Sequence, residues 1–132
     1  MNKKLIFYLS LLGIPAGFAT VFILSSEREW IAWALMFFIC SVLIARECDK
    51  KYFLHGFSVA LLSSVWITAI HIAFYDTYIA NHPGEVALLE KAPLPYSVRI
   101  SMLLTGPVTG ALYGLVLGLL SYVASKTIKQ NK

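Results

Sequence analysis

The sequence predicts an all-α integral membrane protein, a four-transmembrane-helix bundle with a short interfacial helix in its third, outer loop. Three observations carry that expectation. The chain of 132 residues is 58% hydrophobic and 14% charged, against roughly 45–50% apolar and 25% charged in soluble domains. Its apolar residues gather into four blocks separated by short charged connections. No block alternates with period 2, and each is far longer than the roughly 9–11 residues of a membrane strand. The polar remainder is too short for a second domain, so residues 1–132 read as a single membrane domain.

Leu5 to Leu24 is twenty residues without a charge, enough to cross a hydrocarbon core roughly 30 Å thick with about 20 helical residues. Its basic start, "MNKK", and the small residues of "AGFA" resemble a signal peptide, but such an apolar core normally runs about 7–15 residues. The block is therefore read as a retained first span, with a kink expected at Pro15. Trp30 to Ala45 is only sixteen residues; Trp30 and Trp33 can settle at the headgroup level at one end, and Arg46 can snorkel at the other. Phe53 to Tyr75 is twenty-three residues and contains His55 and His71. Ile100 to Ser125 is twenty-six residues, with a second kink expected at Pro107.

Lysine and arginine set the orientation. With both termini cytoplasmic, eight basic residues (Lys3, Lys4, Arg46, Lys50, Lys51, Lys126, Lys129, Lys132) lie inside and three (Arg28, Lys91, Arg99) outside, as the positive-inside rule requires. The net charge of +4 is then an anchor on anionic lipid, and the partner it implies is the bilayer rather than nucleic acid. Glu27, Glu29, Asp76, Glu85 and Glu90 fall outside and make that face acidic. Cys40 lies within the second span and Cys48 in the inner connection; no CxxC or Cys-His spacing points to zinc.

The strongest motif is "GPVTGALYGLVLG", where Gly106, Gly110, Gly114 and Gly118 recur every fourth residue. Helices in lipid associate by close packing at small residues, so this glycine zipper marks a packing face. Gly13 and Gly17 form a weaker pair in the first span. The ridge is expected to receive the first or third helix of the same chain; the alternative is a homo-oligomer joined through the fourth helix.

The stretch "HIAFYDTYIANHPGE" gathers ionisable residues at the outer end of the third span. On a helix continued to Asn81, Ser64, Thr68, His71, Tyr75, Tyr78 and His82 share one stripe, a candidate polar seam. Pro83 and Gly84 end that helix, and "PGEVALLEKA" reads as a fresh short helix capped by Asn81 or His82. "APLPYS" then reads as stiff and extended.

No local pattern defines an enzyme. Asp76 and Glu85 are candidate outer-face ligands beside His71 and His82, yet their spacing matches no metal-binding or haem signature, and no metal or cofactor is assigned. Small four-helix multidrug exporters use a glutamate in the first span, which has none here. The reading is a non-enzymatic helix-packing or accessory membrane component, with an oligomeric transporter or channel subunit as the alternative. A metal- or haem-binding membrane protein comes third, and the small-molecule ligand is left unidentified.

The run "KKYFLHGFSVALLSS", the later "YDTYIANHPGE" and the glycine-rich last span with its basic tail together resemble a family of small four-span bacterial membrane proteins of unknown function. "NHP" stands here where that family has "NP". The resemblance implies a four-span fold in a bacterial cytoplasmic membrane and implies no chemistry.

Overall fold

The computed structural model describes residues 1–91, 95 and 97–130, the last two by backbone only. The stretch "APLPYS" falls largely outside the described residues. Every element among them is helical: α1 (Lys3–Ser10), α2 (Gly13–Phe22), α3 (Glu29–Glu47), α4 (Tyr52–Ala73), α5 (Tyr75–Asn81), α6 (Pro83–Lys91) and α7 (Val98–Gln130). α1 with α2, then α3, α4 and α7, are long and apolar enough to cross a membrane.

The first apolar block is two helices, and Pro15 supplies the reason. Lacking an N–H, it cannot donate to the Leu11 carbonyl four residues back. That carbonyl accepts instead from the Ile14 N–H at 3.0 Å, a tight turn between α1 and α2. With Ile14 so engaged, the Ser10 carbonyl is taken by the Ser63 hydroxyl of α4 at 3.3 Å. α7, by contrast, runs through Pro107 without a break and is longer than its apolar block.

The third block departs from expectation at its C-terminal end. α4 stops at Ala73, the chain bends at Phe74 (φ −109°, ψ 41°), and α5 is a separate helix, so the polar seam does not lie on one continuous helix. Two contacts with α2 account for the bend. The Phe74 ring packs on Phe22 and Phe18, with centroids at 5.1 and 5.5 Å. Asn81 Nδ2 donates to the Val21 carbonyl at 2.8 Å, meeting an acceptor in the last turn of α2. α6 begins at Pro83, where a missing N–H costs a helix nothing. Neither Asn81 nor His82 caps α6 with its side chain, because Asn81 is turned to α2 and His82 Nδ1 to the Tyr78 carbonyl.

α4 is the centre of the packing, with α7 on one side and α1 and α2 on another. Both contacts are made at small residues. A Cβ on Gly106 or Gly110 would collide with the side chains of Thr68 and Ser64, and one on Gly114 or Gly118 would lie 2.8 Å from ring atoms of Phe57 and Phe53. Two further approaches are backbone to backbone. A Cβ on Gly56 would lie 2.6 Å from the Leu117 carbonyl oxygen, and one on Gly13 would lie 2.7 Å from that of Ser63. Met36, Phe37, Cys40 and Ile44 of α3 join Val59 and Ala60 of α4 and Leu117 of α7 in the main core. Cys40 and Cys48 are buried and form no disulfide. Large apolar side chains cover the outward faces, among them Leu35, Phe38, Val65, Leu103, Leu112 and Leu119.

These contacts give a graded expectation for stability. Gly56→Ala forces a methyl group against a backbone carbonyl that cannot swing aside, and should cost about 1–3 kcal/mol. Gly84→Ala, with nothing within 4 Å, should instead gain up to about 1 kcal/mol from helix propensity. Gly114→Leu should be worse than Leu115→Ala, whose side chain faces outward. Unfolding curves in detergent for the four variants check the order; equal stability of Gly56→Ala and Gly84→Ala would refute the close approach.

Candidate functional site

A cavity of about 760 Å³ lies between α3, α4, α6 and α7 at the α5–α6 end of the molecule. α4 forms its back wall with Ser64, Thr68 and His71, and α7 contributes Thr105 and Thr109. Trp33, Phe37 and Tyr113 close it below as an aromatic cluster, with the Trp33 and Tyr113 rings 4.3 Å apart. The lining residues Trp30, Leu88 and Thr109 are exposed, so the cavity is open between α3 and α7 beneath α6. Ser64 and Thr105 donate their hydroxyl hydrogens to the Leu61 and Ser101 carbonyls of their own helices, at 2.7 and 2.9 Å. Their oxygens keep acceptor capacity toward the cavity.

At the α5–α6 end three rings stack. Tyr78 lies between His71 and His82, with centroids at 4.1 and 4.2 Å and interplanar angles of 21° and 17°. The bend at Phe74 and the anchored Asn81 bring α5 back over α4, which is what sets these rings face to face. The Thr20 hydroxyl donates to the Gly17 carbonyl at 2.9 Å and lies 2.7 Å from His71 Nε2. With that hydrogen committed, the imidazole donates from Nε2 to Thr20.

Tyr78 donates its hydroxyl to Glu85 Oε2 at 2.7 Å. Burial, then that hydrogen bond and the charges of Glu29 and Glu85, push its phenol well above the ordinary value, so it stays a donor. His82 is fully buried, and its Nδ1 donates to the Tyr78 carbonyl at 3.0 Å. Its Nε2 lies 3.2 Å from Glu29 Oε2. Both of those atoms are buried and neither has a hydrogen-bond partner, because they are close without being aligned. One ligand atom each from Glu29, His82 and Glu85 lie within 4.8 Å of one another.

Of the seam residues, Ser64, Thr68, His71 and Tyr78 line the cavity. His82 is stacked behind Tyr78, while Tyr75 turns away and sits under the Arg99 guanidinium, 4.5 Å from its ring centroid. Glu85 joins the cluster, whereas Asp76 is exposed and outside it. His55 is at the opposite end of α4, where Nδ1 donates to the Lys51 carbonyl at 2.8 Å and Nε2 accepts from the Asn2 N–H at 2.9 Å. Glu29, Thr20 and Tyr113 had no motif to mark them. Only the position of Glu29 beside the interfacial Trp30 could have singled it out.

No family model matches the chain, and no curated protein or solved structure matches it. The functional reading therefore rests on the geometry.

The His71–Thr20 bond can be tested on its own. Thr20→Val keeps the shape but strands a buried N–H, and should cost about 1–3 kcal/mol. His71→Gln, whose amide can still donate to Thr20, should melt closer to wild type than His71→Leu. Thermal melts in detergent report this; a Thr20→Val protein as stable as wild type would show that His71 is satisfied elsewhere.

Proposed function

We propose that the protein crosses the membrane four times with both termini in the cytoplasm and acts as a non-enzymatic accessory component that holds a small polar ligand or ion in the cavity reached from outside. The carrying observation is the cavity itself: hydroxyls of Ser64, Thr68, Thr105 and Thr109 and the His71 imidazole line a space between otherwise apolar helices. Polar groups at such depth are costly unless they serve packing or a site.

Four stretches of spanning length and the apolar outward faces support the membrane reading. The distribution of lysine and arginine supports cytoplasmic termini in a bacterial cytoplasmic membrane. The cavity and the acidic residues Glu29 and Glu85 then share the outer side. α6 lies at that level, as an interfacial helix would.

The alternative, a transport or channel subunit assembled from several copies, draws on the same polar wall. It needs a free packing face, and the ridge from Gly106 to Gly118 is covered by α4 of the same chain. A single copy per particle in nanodiscs favours the accessory reading; a defined oligomer favours the alternative.

Tags at Met1 and Lys132 should report cytoplasm, and a reporter inserted at Gly84 should report the outside. In a background with Cys40 and Cys48 replaced, Thr105→Cys should react with a membrane-impermeant thiol reagent added to intact cells. Val116→Cys, exposed on the outward face of α7, should not. Labelling of Thr105→Cys only from the cytoplasmic side would reverse the orientation, and labelling from neither side would show that the cavity is not a wet chamber.

A further inference from the structure

The three-residue cluster beside the cavity holds two buried polar atoms, Glu29 Oε2 and His82 Nε2, without a hydrogen-bond partner of good geometry. The Nδ1 proton of His82 is spent on the Tyr78 carbonyl, which leaves Nε2 presenting a lone pair in the neutral ring. That lone pair shares a buried pocket with the Glu29 carboxylate, 3.2 Å away. An imidazolium donating to Glu29 would bring N–H and oxygen into line, yet both atoms lack a hydrogen-bond partner. Glu85 adds a second carboxylate within 4.8 Å, and two carboxylates so close repel unless one holds a proton or something positive lies between them. One potential ligand atom from each of three side chains thus lies within 4.8 Å of the other two.

We propose that Glu29, His82 and Glu85 bind a divalent first-row transition-metal ion such as zinc or manganese, delivered through the cavity. Two carboxylates balance its charge and one imidazole supplies nitrogen, a donor set that favours such ions over calcium or magnesium. Ligands at about 2.0–2.2 Å from a tetrahedral metal lie roughly 3.4 Å from one another, so a contraction of the cluster by an ångström or so completes the site. Support for the ligands is already in place. The Tyr78 carbonyl fixes the His82 tautomer, and the Tyr78 hydroxyl orients Glu85. The cavity beside Glu29 and Glu85 has room for water as a further ligand. The three ligands come from α3, α6 and the residue joining α5 to α6, so the ion ties the outer corner to α3.

The inference deepens the reading of the cavity as a binding chamber and rests on it for access from outside. The test uses the purified full chain in detergent, stripped with a chelator and titrated with Co²⁺ and then Zn²⁺. One equivalent of Co²⁺ should produce visible d–d absorption, and Zn²⁺ should abolish it. Glu29→Gln, Glu85→Gln and His82→Gln should each weaken Zn²⁺ binding at least about tenfold, while Asp76→Asn and Glu90→Gln should leave it unchanged. Zn²⁺ should raise the melting temperature of wild type and not of Glu85→Gln. Glu85 is only partly buried, so its amide variant keeps the test decisive if His82→Gln does not fold. Absence of saturable binding at one equivalent, or binding that survives all three substitutions, would overturn the proposal. If Thr105→Cys is still labelled from outside, the chamber stands and only the metal assignment falls; if it is not, the chamber reading falls whether or not the ion binds.

Discussion

The structure depends on α4 touching two neighbours at backbone distance. On one side Gly56 meets the Leu117 carbonyl of α7, and Gly106 and Gly110 admit Thr68 and Ser64; on the other, Gly13 meets the Ser63 carbonyl. In the membrane setting proposed for these helices no hydrophobic drive would pull them together, so contact area gained at small residues would have to supply the association. Larger residues at these points would push α7 and α2 away from α4. The positions of the cavity wall and the ring stack follow from that spacing, since Ser64, Thr68 and His71 occupy the same helix.

Close packing also decides where polar groups find partners. Pro15 interrupts the first apolar block and frees the Ser10 carbonyl, which the Ser63 hydroxyl takes. Val21, near the end of α2, offers its carbonyl to Asn81, and that bond holds α5 in place. One helix end is thus satisfied by the element whose position it fixes, as buried backbone groups require. The three histidines show the same economy. His55 engages both nitrogens and His71 is bonded to Thr20. His82 alone keeps a buried nitrogen with no hydrogen-bond partner, next to two carboxylates.

The burial of His82 adds meaning to that exception. A buried, unaligned imidazole–carboxylate pair is costly in any protein, and more so at the edge of an apolar bundle. Tyr78 lies at the hinge of the arrangement: its ring separates the imidazoles, its carbonyl fixes one of them, and its hydroxyl holds Glu85. Cavity and cluster therefore meet at Tyr78 as well as at Glu29 and Glu85, all three of which line the cavity.

The sequence by itself determined the helical class, the four stretches of spanning length, the short helix after Pro83 and the shared face of Ser64, Thr68 and His71 on α4. These follow from local rules: run length, proline geometry and the helical period act over a few residues and are written in order along the chain. What only the tertiary structure decided is which stripes meet. The bend at Phe74 has no local breaker, since neither glycine nor proline stands there, and arises from rings on α2 and the Asn81 bond to Val21. Glu29 lies fifty-three residues before His82 in the chain, and no spacing rule links them. They meet because α4 packs against α2, α5 folds back over that contact, and α3 rises alongside. Likewise Gly56, a lone glycine with no ridge of its own, takes its importance from the Leu117 carbonyl opposite. Periodicity tells a helix which face to bury, but the partner on that face is chosen by steric fit between elements far apart in sequence, and that fit exists only once the helices are packed.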